Sequence, residues 1–221
     1  AVRAAGPPPG SARVPADDPQ ADRGVLGPTA YTHPKGTFYF SDYEVVLLQL
    51  GYAITDDTQL TVTGVPPVSA ERILVLDLTL KSTLYRGGRV RVAALGSTSG
   101  VAAKELGVLG VGRVGGVVQL CLAPDCASSL SLSSDVTLAG VLLMLNTASA
   151  IYRLGRVTSL LGELDTLLPL GKDVGELNGG LASGGVRFGW TSWGLDVVLM
   201  HTLGGARATF PFLALSYRSA P

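Results

Sequence analysis

The sequence predicts an all-β fold: an antiparallel, up-and-down transmembrane β-barrel of about ten strands behind an extended N-terminal segment. Three observations carry this expectation. Apolar and polar residues alternate with period two through most of the chain after Gly36. Turn signals recur at intervals that suit strands of about nine or more residues. Within those strands the charge collects on the face opposite the aliphatic stripe, leaving the leucine face almost free of it.

Composition narrows the classes. The 221 residues carry 17 basic and 17 acidic side chains, so no basic footprint for nucleic acid and no acidic face is present. Charged residues make up 15% of the chain, against about 25% in ordinary soluble domains, and glycine is abundant at 29 residues. This is not the balance of a cytosolic enzyme. The chain begins at Ala1, which reads as the product of removing an export signal.

Residues 1–35 open with "AVRAAGPPPGSARVPADDPQADRG", rich in Pro, Ala, Gly and charge and without hydrophobic period. They read as an extended or disordered lead-in, ordered only by lying against something else. Residues 36–221 form the barrel domain. Its first strand is read in "FYFSDYEVVLLQLGYAI", closed by the tight "TDDT", followed by "QLTVTGV". A pair of strands around "RGGR" comes next, in "ERILVLDLTLKSTLYRGGRVRVA", then "GVLGVGRVGGVVQLCL". "SLSLSSDVTLAGVLLML" continues the Ser/Leu alternation as one strand, before "RVTSLLGELDTLL", "LASGGVRFGW", "GLDVVLMHTL" and "ATFPFLALSYR". The connections are too short for crossover helices, so the strands pair antiparallel.

The two cysteines, Cys121 and Cys126, flank "LAPD". That spacing suits a small turn closed by a disulfide in an exported protein; two unpaired thiols are the alternative. It is not a zinc spacing, and no cofactor or metal site is expected.

Two other folds compete. "VTLAGVLLMLNTASAIY" imitates a membrane helix, but it falls short of the roughly 20 residues needed and includes Asn146, Thr147 and Ser149. A soluble ligand-binding barrel would also alternate. The charges decide between the barrels. Asp77, Lys81, Arg89, Arg91, Arg113, Asp135, Glu163, Asp165, Arg187 and Asp196 lie opposite the aliphatic stripe and are expected in the lumen as paired charges. Leu74, Leu76, Leu78, Leu80, Val90 and Val92 are then expected to face lipid, where Arg or Lys at mid-bilayer would cost about 2 to 4 kcal/mol. Phe38, Tyr39, Phe40, Tyr43, Tyr52, Tyr85, Trp190, Trp193 and Tyr217 fall near strand ends, as interfacial aromatics do.

Around "GPTAYTHPKGTFYF" and "GYAITDDT" the chain resembles a group of small bacterial outer-membrane β-barrel proteins, through Pro28, Thr29, Ala30, Tyr31, Lys35, Gly36, Tyr52, Ile54, Thr55 and Asp56. Ala53 and Asp57 depart from that group's pattern, and the final strand, with Phe210, Phe212 and Tyr217, stops at Pro221 without its terminal aromatic. The resemblance implies the outer membrane of a Gram-negative cell and the barrel fold, with no settled activity.

Catalysis is not expected. Only His33 and His201 are present, His33 in the lead-in and His201 near a strand end, and no phosphate loop is found. The expected function is a structural or interaction barrel of the cell envelope. A narrow passive pore for ions or small solutes is the alternative, and a soluble ligand-binding barrel is a further one. Expected partners are membrane lipid, together with further copies of the chain or other envelope proteins, and no nucleic acid.

Overall fold

A computed structural model describes residues 18–44, 47–65, 74–103, 107–139, 141–170, 179–205 and 207–219. Twelve strands follow one another: β1 (Phe38–Tyr43), β2 (Leu47–Ala53), β3 (Thr58–Val65), β4 (Leu74–Gly87), β5 (Val90–Ala103), β6 (Gly107–Cys121), β7 (Ser129–Ala139), β8 (Val141–Arg153), β9 (Thr158–Pro169), β10 (Gly179–Gly189), β11 (Trp193–Leu203) and β12 (Thr209–Arg218). Each pairs antiparallel with its sequence neighbours, and β1 pairs with β12 to close the barrel. Closure satisfies every strand edge, which is what allows a sheet to stand in a medium without water.

The count is twelve rather than ten because two pairs of strands read as single runs. "FYFSDYEVVLLQLGYAI" turns back on itself, so that Tyr43 faces Leu47 and Phe38 faces Tyr52. No Gly, Pro or Asn marks this turn. Glu44 takes the left-handed conformation at φ 58°, which such a residue seldom adopts. It is held there by its own N–H on the Leu213 carbonyl (3.0 Å) and its Oε1 accepting the Leu213 N–H (2.5 Å). The second reversal divides the Ser/Leu run: Ala139 ends β7, Val141 starts β8, and Leu138 pairs with Leu142. The stretch that imitates a membrane helix is thus parts of β7 and β8.

The pleat sorts the side chains. On β4, Leu76, Leu78 and Leu80 are exposed on the outer face, while Lys81 and Thr83 are buried on the inner one. The outer face carries Leu50, Val114, Val118, Leu132, Leu164, Leu199 and Leu213 as well, all exposed. A continuous apolar exterior of this kind marks a surface made for lipid or a partner, and a soluble ligand-binding barrel would have put it inside. Phe38, Tyr52, Tyr85, Tyr152, Trp190 and Trp193 are exposed around one rim, the end where the connections 54–57, 88–89, 122–128, 154–157 and 190–192 lie, while Phe210 is exposed towards the opposite end. Tyr39 and Tyr43 depart from the expected girdle: both point into the lumen and are buried.

Candidate functional site: the plugged lumen

Residues 18–35, expected as part of an extended or disordered lead-in, run into the barrel from the short-turn end, reverse at mid-lumen and return to Lys35 beside Asp56. The reversal is a tight hairpin. Gly24 N–H donates to the Gly27 carbonyl (2.8 Å), Thr29 N–H to the Asp22 carbonyl (3.0 Å), and Arg23 bridges to Pro28. Val25 and Leu26 form its apex. Val25 is fully buried against Tyr43, Ile151, Leu161, Val198, Met200 and Phe212, whereas Leu26 is 43% exposed.

Glu163 on β9 seats the apex. Its carboxylate accepts three consecutive backbone N–H groups, from Val25 (2.8 Å), Leu26 (2.7 Å) and Gly27 (3.0 Å), an anion nest built by the hairpin itself. The fit requires glycine on both sides. A Cβ at Gly24 would lie 2.2 Å from Glu163 Oε2 and 2.8 Å from Ser149 Cβ, and one at Gly27 would lie 2.3 Å from Thr147 Cγ2.

The hairpin's polar groups are met from the wall. Arg187 on β10 pairs with Asp196 on β11 and donates to the carbonyls of Gln20 (2.9 Å), Arg23 (3.3 Å) and Gly24 (2.6 Å). Lys81 donates to the carbonyls of Asp22 (2.9 Å) and Thr29 (3.2 Å). Arg23 reaches Ser41 (2.8 Å), Gln49 (3.0 Å) and Ser216 (2.6 Å) and lies over the Tyr43 ring. Burial by itself would raise the Asp22 carboxyl, but His33, Lys81 and Arg23 beside it hold it well below the usual carboxylate range. His33 lies between two rings, edge-on to Tyr31 and tilted against Tyr39.

The ten expected lumen charges therefore divide. Arg187 with Asp196 (2.8 Å) and Arg113 with Asp77 (3.2 Å) form ion pairs. Lys81 and Glu163 bind hairpin backbone instead of one another. Arg91 is buried beneath the Tyr31 ring. Asp165 Oδ1 accepts from Thr147 (2.6 Å), and Asp135 Oδ1 has no hydrogen-bond partner. Arg89 is an exposed turn residue beside Gly88 and takes no part. The half of the lumen nearest the short turns is thus filled by the chain's own N-terminal segment rather than by paired charges. His201 lies on β11, with Nδ1 2.8 Å from Thr209 Oγ1.

On the outer face, Leu76, Leu78, Leu80 and Val90 are exposed and Val92 is half-buried; the side chain of Leu74 lies outside the described ones. Cys121 and Cys126 are bonded to each other at the short-turn rim.

Two kinds of lumen residue escaped the sequence pattern. Arg86 is on the outward parity of β4, but the register shifts between Thr83 and Tyr85, and Arg86 comes to face Arg91. A bulge re-aims the side chains beyond it. Arg86 then bonds Thr32 Oγ1 (2.6 Å) and pairs with Asp57 (3.0 Å) at the lumen mouth. The hairpin "RGVLG" was hidden because its apolar pair is too short to show a period. The only signal was two glycines flanking Val-Leu inside a Pro-rich stretch.

Beyond the apex, and along the flank of the hairpin past Pro28 to Asp22, Gln59 and Lys81, the lumen holds a vestibule of about 650 Å³. Leu26, Tyr43, Leu47 and Leu181 line part of it, and Asp77, Ser99, Arg113, Asp135, Thr147 and Asp165 line another part.

No family model and no curated protein matches the chain. Solved structures do. The KdgM porin superposes with a TM-score of 0.61 at 9% identity, over 82% of this chain and 96% of that one. The KdgM porin in complex with disordered oligogalacturonate superposes at 0.59, with the same identity and coverage. At such low identity the likeness is one of fold, and the chain has the closed antiparallel barrel fold of outer-membrane porins.

Proposed function

We propose that the chain is a narrow passive channel of the bacterial outer membrane, shut at its short-turn end by residues 18–35 and open at the other end as a vestibule. One observation carries the reading: the hairpin apex is seated on Glu163 at mid-lumen, with a lined space of about 650 Å³ beyond and beside it. The porin fold and the apolar exterior support the location. A purely structural barrel would account for the packed half of the lumen but not for the vestibule, so the channel reading is preferred to a structural or interaction role. The KdgM porin's oligogalacturonate is a chain of carboxylates, and the unpaired vestibule charges here are carboxylates too, so that solute is not carried over.

Conductance in planar bilayers tests the reading. The intact chain should show small, infrequent openings. Glu163→Ala, which removes the acceptor of three apex N–H groups, should give steady steps several-fold larger. If Glu163→Ala and a chain lacking residues 18–30 both stay as closed as the intact protein, the channel reading fails.

A further inference from the structure

We propose that the vestibule is a binding site for a small amphipathic amine, one ammonium group on a compact apolar body. The inference names the solute class of the channel proposed above. It rests on two carboxylates outside any ion pair among the described residues, each with one buried oxygen that accepts no hydrogen bond.

Asp135 on β7 sits in register between Gly115 and Leu145, so one flank has no side chain and the other an apolar one. The residue is 8% exposed, and its Oδ1 is without a hydrogen-bond partner. Asp165 on β9 sits between Thr147 and Leu181; Thr147 bonds its Oδ1, while its Oδ2 is buried without a partner. Neither is in an ion pair among the described residues. The basic groups nearby make their hydrogen bonds elsewhere, although the charge of Arg113 is felt at Asp135. Arg113 is on Asp77 and Ser97, Lys81 is on two hairpin carbonyls, and Arg23 is on Ser41, Gln49 and Ser216. A carboxylate withdrawn from water without a partner is costly, and a cation that donates hydrogen bonds removes that cost.

The rest of the vestibule specifies what the cation is attached to. Strands β7 to β9 lie across the twelve-strand ring from β1 to β3. On that far side stand Tyr43 and Leu47, and Leu26 of the hairpin apex forms part of the lining. These continue into the buried cluster around Val25, Met200 and Phe212. An ammonium at Asp135 and Asp165 would therefore have its remaining bulk face the apolar patch of Tyr43, Leu47 and Leu26, which Gln49, Thr61 and Thr63 border. The volume of about 650 Å³ falls within the roughly 300 to 1,000 Å³ of small-molecule sites. A bare metal ion fits less well: among the described residues no three His, Cys, Asp or Glu side chains come together to hold one.

Titration calorimetry on the folded full-length chain in non-ionic detergent tests this without any need for conduction. The probes are phenethylamine, phenethyl alcohol and phenylacetate, each blanked against protein-free micelles. The amine should bind roughly tenfold or more tighter than the alcohol, as a charge-assisted bond to a desolvated carboxylate implies, and phenylacetate should not bind. The double variant Asp135→Asn with Asp165→Asn should bring the amine down to the alcohol's affinity, while Asp125→Asn at the exposed cysteine turn should change nothing. Equal affinities for all three probes, no amine binding by the intact chain, or an amine preference that survives the double variant would each overturn the proposal. The comparison of probes on the intact chain holds even where the double variant misfolds. A chain that conducts but shows no amine preference sinks this inference alone, and one that binds the amine but never conducts sinks only the channel.

Discussion

Arg187 and Asp196, opposite one another on β10 and β11, are joined by two parallel bonds, Nε to Oδ1 at 2.8 Å and Nη2 to Oδ2 at 2.9 Å. The other N–H groups of the guanidinium go to the carbonyls of Gln20, Arg23 and Gly24. All five donors of the planar fork are used. One side chain thus ties the barrel wall to the hairpin inside it, and Asp196 has no exposure to water at all.

Replacing Arg187 should consequently weaken both. Arg187→Met leaves a fully buried carboxylate without its partner, an arrangement that costs about 3 to 5 kcal/mol. Arg187→Lys should recover little, because an ammonium cannot reproduce the two-pronged contact and the carbonyl bonds together. Urea unfolding in detergent, followed by the gel shift between folded and unfolded barrel, measures this. A Lys variant as stable as the parent would refute the fork argument.

Leu78 and Thr79 are neighbours on β4 with opposite faces, Leu78 exposed outside and Thr79 lining the vestibule with its hydroxyl on Asp77 (2.6 Å). Leu78→Arg should impair insertion into vesicles by about 2 to 4 kcal/mol if the residue lies near mid-bilayer. Thr79→Arg should insert nearly as well as the parent, since Asp77 is at hand. Equal behaviour of the two variants would mean that the outer face does not contact lipid.

Gly27 has no room for a side chain between the hairpin and Thr147. Gly27→Leu should unseat the apex and raise conductance as Glu163→Ala does, while the wall stays folded because its strand ladder is untouched. Gly155, at a turn with open space around it, is the matching control: Gly155→Ala should conduct like the parent. A closed Gly27→Leu channel would show that the hairpin does not close the path.

Cys121 and Cys126 enclose only four residues, so their bond removes little freedom from the unfolded chain, about 2 kcal/mol on the loop-entropy estimate. No thiol should react in unreduced, denatured protein. The Cys121→Ala, Cys126→Ala double variant should still form the barrel, with stability lowered by no more than that amount. Failure of the double variant to fold at all would give the disulfide a larger part than the closed sheet leaves it.

Much of this protein was legible in its sequence because a pleated strand alternates its faces at every residue. The run Leu76, Leu78, Leu80 against Asp77, Thr79, Lys81 declares a two-faced wall, and the charges on the second face declare which side holds the lumen. Strand number was less legible. Glu44 reverses the chain without a glycine, and the β7–β8 reversal falls in an apolar stretch where Gly140 is the lone turn signal, so each pair of strands read as one. What only the tertiary structure decided is what fills the lumen. Whether Lys81 and Glu163 would meet each other or something else depended on which strands closure placed across the ring. Arg86 changed face through a bulge that no residue type announced. The segment "RGVLG" buries just one apolar side chain and carries no period, so nothing local marked it as structure. Its order comes from its backbone N–H and carbonyl groups meeting Glu163 and Arg187, and from Lys81 holding the flanking Asp22 and Thr29 carbonyls, side chains brought to it by strands more than fifty residues away.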